Sequence, residues 1–408
     1  MGTGSRLLDN FRHEMNKGKN KTSKEEFEVL YRTGFTNLDF LNGMRVHVNG
    51  NGIETTYNAL GIVDGSSNMI VGDSNTGKST LMTQIIGYIA GQFENVDVYI
   101  DDIEGSLPMS RKTFLLNMSQ DEMKSRVEVR NTGITTESFY QRIRFIHDYK
   151  LNNRDQYEYD TGLYDIAGNK IIKLYPTLYA MDSFSLLMPD DLLEKEELDK
   201  GMGATHVAKM NTQLVKKVSQ MLREANIIFF SVNHLNDMPN NGPFPAAPQV
   251  AGLPVGKTIP GGKAATYISN NLLYVKPKST LKATETFGID GRVIEIKMLK
   301  SRTNVTINRS VPLVFNMTEG KFDDILSTFY LLKTEGYVGG AGKSLYLEGY
   351  NDIKFSMKDF KQKLFESQEL QEAFTKVSYD VLSKYLADNY NKDNIINIFD
   401  FGKAIANF

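Results

Sequence analysis

The amino-acid sequence predicts an α/β fold: a mostly parallel sheet with helices on both faces and an antiparallel extension, flanked by an N-terminal arm and a small C-terminal domain. Three observations predict it. From about residue 65 to 320, short apolar runs alternate with stretches of helical spacing, the pattern of successive β-α-β units. The last runs of that region, Val293–Met298 and Val305–Val314, follow one another without a helix, so they extend the sheet antiparallel. The first run, Asn68-Met69-Ile70-Val71, leads straight into Gly72-Asp73-Ser74-Asn75-Thr76-Gly77-Lys78-Ser79 and then into Thr80-Leu81-Met82-Thr83-Gln84-Ile85-Ile86. That is a strand, a glycine loop and a helix in sequence.

The elements follow in order. Residues 1–60 are polar and lack a clear strand–helix alternation, which reads as an N-terminal arm and linker serving oligomerisation. Within them Leu7, Phe11 and Met15 recur every four residues with Leu8 beside them, forming one apolar helical stripe. A basic, flexible linker, Asn16 to Lys24, comes next. The stripe docks on a neighbouring subunit or on the chain's own core, and the pattern leaves both open. The core, residues 61–320, continues past the glycine loop with strands at Asn95–Asp101, Arg126–Arg130, Tyr175–Asp182, Ile227–Asn233 and Asn271–Val275. A Tyr- and Asn-rich insertion lies between Lys150 and Lys173, where Gly168-Asn169 between apolar flanks predicts a hairpin turn. Residues 235–262 are rich in Pro and Gly; a loop of that length inside a compact domain is functional or disordered. From residue 321 to 408 helical spacing dominates (Leu364, Phe365, Leu370, Phe374, Val377, then Val381, Leu382, Tyr385, Leu386), predicting a small, mainly helical domain. Gly342-Lys343-Ser344 imitates the end of a glycine loop, but Tyr337 stands where its first glycine would be.

Composition bounds the function. With 408 residues and 41% hydrophobic content, the chain can bury a large core. No apolar run approaches the roughly 18 residues of a membrane helix, and Met1 to Arg6 open no signal-peptide core. A cytoplasmic protein without a membrane partner is expected. The absence of cysteine excludes disulfides, thiol catalysis and Cys-ligated metals. His13, His47, His147, His206 and His234 include no pair at helical ligand spacing, so no zinc signature exists. A net charge of -2 means that any DNA site must be a local patch.

The chemistry centres on residues 72–79, which read G-x-x-x-x-G-K-S. Glycines let backbone N–H groups crowd around phosphates, and the helix start adds partial positive charge. Lys78 is expected to reach the β- and γ-phosphates of ATP, and the Ser79 hydroxyl to bind Mg²⁺. A second acid must order the metal shell. Asp182, at the end of Leu178-Tyr179-Ala180-Met181, fits as that Walker B aspartate, against the plainer reading of an ordinary strand-end Asp. Hydrolysis also needs a base. Val98-Tyr99-Ile100-Asp101-Asp102-Ile103-Glu104 is a strand ending in acids, with Glu104 the first candidate and Asp102 the second; the alternative is a solvated acidic loop. The strand Ile227–Asn233 ends in Asn233-His234 and enters the long loop. Such a polar pair can sense a γ-phosphate and relay its presence to the loop.

At this point the chain resembles the RecA recombinase family, and within it the UvsX recombinases of tailed phages. Thr33-Gly34-Phe35-Thr36-Asn37-Leu38-Asp39 resembles the family's lead-in "TG-x-x-x-LD", Asp102-Ile103-Glu104 its "D-x-E", and Met181-Asp182-Ser183 its Walker B. Asn233-His234 resembles the phage "NH", Gly261-Gly262-Lys263-Ala264 the "GGxA" closing the second DNA loop, and Lys300-Ser301-Arg302 a cation pair that reaches a neighbour's ATP. The resemblance runs from about Thr33 to Gly320. It implies a RecA-like P-loop ATPase core binding ATP and Mg²⁺ through residues 72–79, Thr80 and Asp182, with Glu104, Lys78 and His234 catalytic. It further implies a homo-oligomeric helical filament on single-stranded DNA, with ATP at the subunit interface contacted by Lys300 and Arg302. Pairing with homologous duplex DNA, mediator and single-strand-binding proteins as partners, and a bacterial host cytoplasm for a phage-encoded member are implied as well.

The chain departs from the family pattern in three places. The first DNA loop, Met188–Gly203, is acidic, with Asp190, Asp191, Glu194, Glu196 and Glu197. The second, Leu235–Gly262, is long and Pro-rich; its DNA contacts are expected from Asn240, Lys257, Thr258 and Lys263, with Val250, Leu253 and Val255 as wedges between bases. Where the family often stacks a Tyr on adenine, the register gives Arg111, whose guanidinium can also stack on a base. A DnaB-like replicative helicase shares such a core, but it requires a helical N-terminal domain larger than the roughly 60 residues ahead of the core. A non-catalytic, ATP-gated filament scaffold is the third reading.

Overall fold

The computed structural model describes residues 28–50, 53–164, 170–193, 202–238, 248, 250–260, 266–283, 288–302, 307–391 and 398–400. Among these, nine strands form one sheet: β1 (Ser67–Gly72), β2 (Val98–Asp102), β3 (Val127–Arg130), β4 (Thr177–Asp182), β5 (Ile227–His234), β6 (Asn271–Leu281), β7 (Gly291–Ser301), β8 (Ser310–Asn316) and β9 (Lys321–Asp323). Their order is β9-β8-β7-β6-β1-β5-β4-β2-β3. From β6 to β3 every pairing is parallel, and from β6 to β9 every pairing is antiparallel. The mostly parallel sheet with an antiparallel extension is therefore present. Strand bounds shift by a few residues from the sequence reading, most at β6, which runs on to Leu281.

Central parallel strands are covered on both faces, so they require unbroken apolar runs. All six residues of β1 and all six of β4 are buried. Their side chains sort by the two-residue period of a strand. Ile70, Leu178, Ala180, Ile228, Phe230 and Val232 join one cluster with Leu81, Ile85, Ile86 and Ile89 of helix α1 (Lys78–Gly91). Met69, Val71, Tyr179, Met181, Ile227 and Phe229 join the other. There they meet Phe139 and Ile143 of α3 (Thr136–Asn152) and Leu214, Val218 and Leu222 of α4 (Met202–Glu224). Helix α2 (Met109–Leu116) follows β2. Each fully buried Val, Leu, Ile, Phe or Met among these contributes about 1.5–3 kcal/mol by leaving water.

The first cluster also holds Val29, Tyr31, Phe35, Leu38, Phe40 and Leu41 at one end of the chain, and Phe329, Phe355, Phe360 and Phe374 at the other. Residues 28–60, read from sequence as part of a polar arm, thus contain a strand (Glu28–Tyr31), a helix (Thr36–Asn42) and a hairpin (Met44–Gly50 with Ile53–Ala59). Their periodicity was hidden because the buried residues sit on short elements separated by turns. The lead-in motif ties this segment down. Asp39 accepts from Thr33 N and Oγ1, both at 2.6 Å, and from Arg32 Nε at 2.7 Å. Past β9, α5 (Asp324–Thr334) and α6 (Gln368–Leu382) pack with a small three-stranded sheet, Val338–Gly339, Leu345–Leu347 and Tyr350–Phe355. Strands Glu158–Tyr164 and Lys170–Leu174 form the antiparallel pair expected around Gly168-Asn169; that turn, like the stripe of Leu7, Leu8, Phe11 and Met15, lies outside the described residues. No helix among the described residues is long and apolar enough to cross a membrane.

Asp324 joins the segment 28–60 to the chain beyond β9. Its carboxylate accepts from Thr36 N at 2.6 Å and Thr36 Oγ1 at 2.8 Å. Burial pushes this carboxyl up to about 7; the two Thr36 bonds oppose the rise and Asp39 and Asp323 add to it. A carboxyl whose folded pKa exceeds its unfolded value of about 4 lends stability that is complete below that value and lost as pH climbs to about 7. Asp324→Asn, which cannot ionise, should therefore be more costly at pH 5 than at pH 8. The melting-temperature gap to wild type should shrink by about 2 °C or more over that range in scanning calorimetry; a gap that ignores pH would refute the linkage.

Candidate functional site

The sheet register brings the candidate groups to one edge. Gly72 is level with His234 on β5 and with Val275 on β6, and Asp182 is level with Asp102. This is the carboxyl edge of the parallel strands, beside the point where the strand order reverses, which is where sheets of this kind bind ligands. Gly72 must be glycine because a Cβ would stand 2.6 Å from the Val275 carbonyl oxygen. Gly77 caps α1 with φ +85°, and a Cβ there would meet the Phe322 ring at 3.0 Å. Gln84 pins α1 to β9 by donating to Phe322 O at 3.0 Å and accepting from Phe322 N at 2.8 Å.

Within the loop, Thr76 Oγ1 and Lys78 Nζ donate to Asp73 O at 2.9 and 2.7 Å. Lys78 is buried; burial lowers its pKa, while Asp182, Glu104 and Asp73 hold it up. His234 Nε2 donates to Glu104 Oε1 at 2.7 Å. Lys78 Nζ can only donate, so His234 Nδ1 accepts from it at 3.5 Å, with Ser74 Oγ beside it at 3.4 Å. The imidazole thus links the phosphate loop to the tip of β2. Asp102 is engaged elsewhere: Oδ2 accepts from buried Lys112 at 2.6 Å and Oδ1 from Ser106 N at 3.1 Å. Glu104 is left as the carboxylate that faces the loop.

Asp182 is buried, and burial raises its pKa, against the hydroxyls of Ser79 and Ser106. Its Oδ2 accepts from Ser106 Oγ at 2.8 Å, whereas Oδ1 is buried without a hydrogen-bond partner. An orphaned carboxylate oxygen beside a serine hydroxyl suits a hard cation that takes its other oxygens from phosphate and water, which is how Mg²⁺ is usually held. A cage of three or more His, Cys, Asp or Glu side chains is absent among the described residues.

The remaining candidates separate. Asn233 is fully buried; Oδ1 accepts from Ser185 N at 2.9 Å, and Nδ2 donates to Pro260 O at 3.3 Å at the end of the long loop. Arg111 donates to Gly320 O, and its guanidinium lies 5.3 Å from the Phe114 ring centre. Lys300 and Arg302 sit at the opposite edge of the sheet. Lys300 pairs with Leu272, which pairs with Met69, whereas Gly72 is level with Val275. The offset is about 10–13 Å, so neither cation reaches the loop of its own chain. They donate to Thr266 O and Tyr267 O, and burial together with Arg302 pushes Lys300 down to about 8.

In the long loop, Asn236–Asp237 and Lys257–Thr258 form a two-stranded ribbon. Lys257 pairs with Asp237 at 2.9 Å and with Asp73 of the phosphate loop at 3.4 Å, so in this structure it faces the loop of residues 72–79. Leu253 is buried in the second cluster with Val250 packed against it, and Val255 alone of the three expected wedges is exposed. Asn240, Lys263 and the Gly261-Gly262 motif lie outside the described residues, as do residues 194–201 of the acidic loop; its Asp191 pairs with His206 at 3.1 Å. Sequence reasoning missed Ser106 and Lys112, because a serine in a loop and a lysine beside Arg111 read as solvated. No protein-family model matches the chain, and no curated protein matches it.

Proposed function

We propose that this chain is an ATP-dependent recombinase of the RecA type, closest to the phage UvsX-like proteins, which assembles as a helical filament on single-stranded DNA and pairs it with homologous duplex. One observation carries the reading: Lys78, Asp182 and the Glu104–His234 pair converge on a glycine loop at one sheet edge. The neighbouring residue of that pair, Asn233, bonds the end of the long loop. A group that touches the phosphate loop is thus one residue from a group that touches the candidate DNA loop, which supports a coupling of nucleotide state to DNA grip.

The residues act as follows. Backbone N–H groups of residues 73–78 and the start of α1 bind the phosphates, and Lys78 neutralises charge there. Ser79 and Asp182 would hold Mg²⁺, which when bound screens the phosphate charge and orients its oxygens. Glu104 accepts the proton of the attacking water, and His234 keeps that carboxylate turned toward the loop. Arg111, between the Phe114 ring and Gly320, stacks on the base. Lys300 and Arg302 contribute to the site of the next subunit, as the offset across the sheet supports.

Strand exchange separates the recombinase from a helicase. A homologous duplex should yield joint molecules with ATP and a circular single strand; unwinding of a forked duplex without homology would instead favour the helicase reading. Glu104→Gln should bind nucleotide with near wild-type affinity and lose about a hundredfold or more in turnover, whereas Lys78→Ala should lose affinity too. Equal loss of binding and turnover in Glu104→Gln would make that residue structural. Alanine at both Lys300 and Arg302 should leave melting and single-site nucleotide binding intact while DNA-dependent turnover collapses. Mixed with Lys78→Ala protein, it should regain activity above the sum of the parts, since each supplies one intact half of a shared site. Mixtures without such gain, alongside normal turnover of the double variant alone, would show an unshared site.

A further inference from the structure

The loop between β2 and α2, residues 103–108, carries Glu104 and is braced from three sides. Ile103 N and Glu104 N both donate to the Asp182 main-chain oxygen, at 2.7 and 3.1 Å. Ser106 Oγ donates to Asp182 Oδ2 at 2.8 Å, and Ser106 N to Asp102 Oδ1 at 3.1 Å. The third support comes from α2, where Lys112 Nζ donates to Asp102 Oδ2 at 2.6 Å and to the Leu107 carbonyl. The Lys112 and Asp102 side chains are only 5% and 2% exposed. Side chains of these types are almost never so enclosed unless paired. Here the pair closes both ends of the six-residue loop, from the last residue of β2 to the first turn of α2.

We propose that Lys112, acting through Asp102, and Ser106, acting through Asp182, are positioning residues that fix Glu104 against the phosphate loop and aim Asp182. This rests on the nucleotide-hydrolase reading for its consequence in turnover, though not for the brace itself. Asp102 is 2% exposed and ion-paired with Lys112, which leaves it poorly placed to replace Glu104 as a base. With Asp182 Oδ2 held by Ser106, the orphaned Oδ1 is the oxygen presented to a cation. Lys112 neighbours Arg111, whose guanidinium is fixed to Gly320. The one helix therefore anchors both the Glu104 loop and the candidate base-stacking group. Loosening Lys112 would free the loop without touching residues 72–79.

The test uses the full chain carrying Asp102→Asn with Lys112→Met, which removes the pair without leaving a lone buried charge, and separately Ser106→Ala. Melting, binding of a fluorescent ATP analogue, DNA-stimulated turnover and hydrogen exchange of peptides covering 103–107 are compared with wild type. The double variant should bind the analogue within about threefold of wild type and turn over at least about tenfold more slowly. Exchange at 103–107 should rise while exchange at 72–79 stays unchanged. Ser106→Ala should raise the Mg²⁺ needed for half-maximal turnover by about threefold or more. Turnover of the double variant within about twofold of wild type, unchanged exchange at 103–107, or analogue binding that falls as far as turnover would overturn the proposal. A double variant that does not fold, joined by a Ser106→Ala protein with wild-type exchange and metal dependence, would overturn it too. A wild-type chain without turnover would strike the hydrolase reading instead, and the exchange comparison would then decide the brace.

Discussion

Strand β1 has to end at Gly72 in the middle of the sheet, with His234 of β5 on one side and Val275 of β6 on the other, and the rest of the molecule is arranged around that constraint. A glycine loop can present its N–H groups only where the strand stops and the next helix begins. Stopping there leaves no room for a side chain, since a Cβ on Gly72 would stand 2.6 Å from a neighbouring carbonyl. To keep β1 central, the chain places a parallel strand on each side of it, β5 and β6, and adds the antiparallel extension only beyond β6. It covers one face with α1 and the opposite face with α3 and α4. The split of side chains between the two apolar clusters is the strand period made visible.

The same crowding sets the electrostatics. Asp182, Glu104 and Asp73 lie close enough to Lys78 to hold its pKa up, and burial works against the charge of Lys78 and of Asp182 alike. A buried cation and a buried acid, with two further carboxylates at the surface, held at the mouth of an N–H-lined loop form a set suited to a polyphosphate with a divalent cation. Other acids nearby are paired within the fold, Asp102 with Lys112, and Asp101 with Arg130, Arg142 and Tyr179. Asp182 Oδ1 is one of several buried polar atoms without a hydrogen-bond partner, Arg142 Nη2 among them, and the one that lies at the glycine loop.

Much of this was legible in the sequence because two strong local signals coincide. The run from Asn68 to Ile86 combines a buried strand, positive-φ positions at Asn75 and Gly77, and a helix, and each leaves a mark in residue type. The apolar strands ending in Asp182 and in Asn233-His234 were equally readable, since a strand buried on both faces admits few polar residues except at its tip. What stayed hidden depends on partners distant in sequence. Lys112 looks solvated until Asp102 is seen ten residues before it. Lys257 looks available to DNA until Asp237 and Asp73 are seen beside it, and Leu253 looks like a loop residue until it is found in the second cluster. The segment 28–60 escaped because its elements are too short to show a period. That Lys300 and Arg302 lie about 10–13 Å from the level of their own loop is a property of register alone, which no spacing along the chain reveals.

The central claim is that nucleotide and single-stranded DNA together drive this chain into one helical assembly. Electron microscopy with a slowly hydrolysed ATP analogue and Mg²⁺, with and without single-stranded DNA of defined length, tests it most directly. The account predicts regular helical filaments whose length scales with the DNA and which disappear when nucleotide is withheld. Closed rings of fixed size encircling the strand, or particles indifferent to DNA and nucleotide, would contradict it.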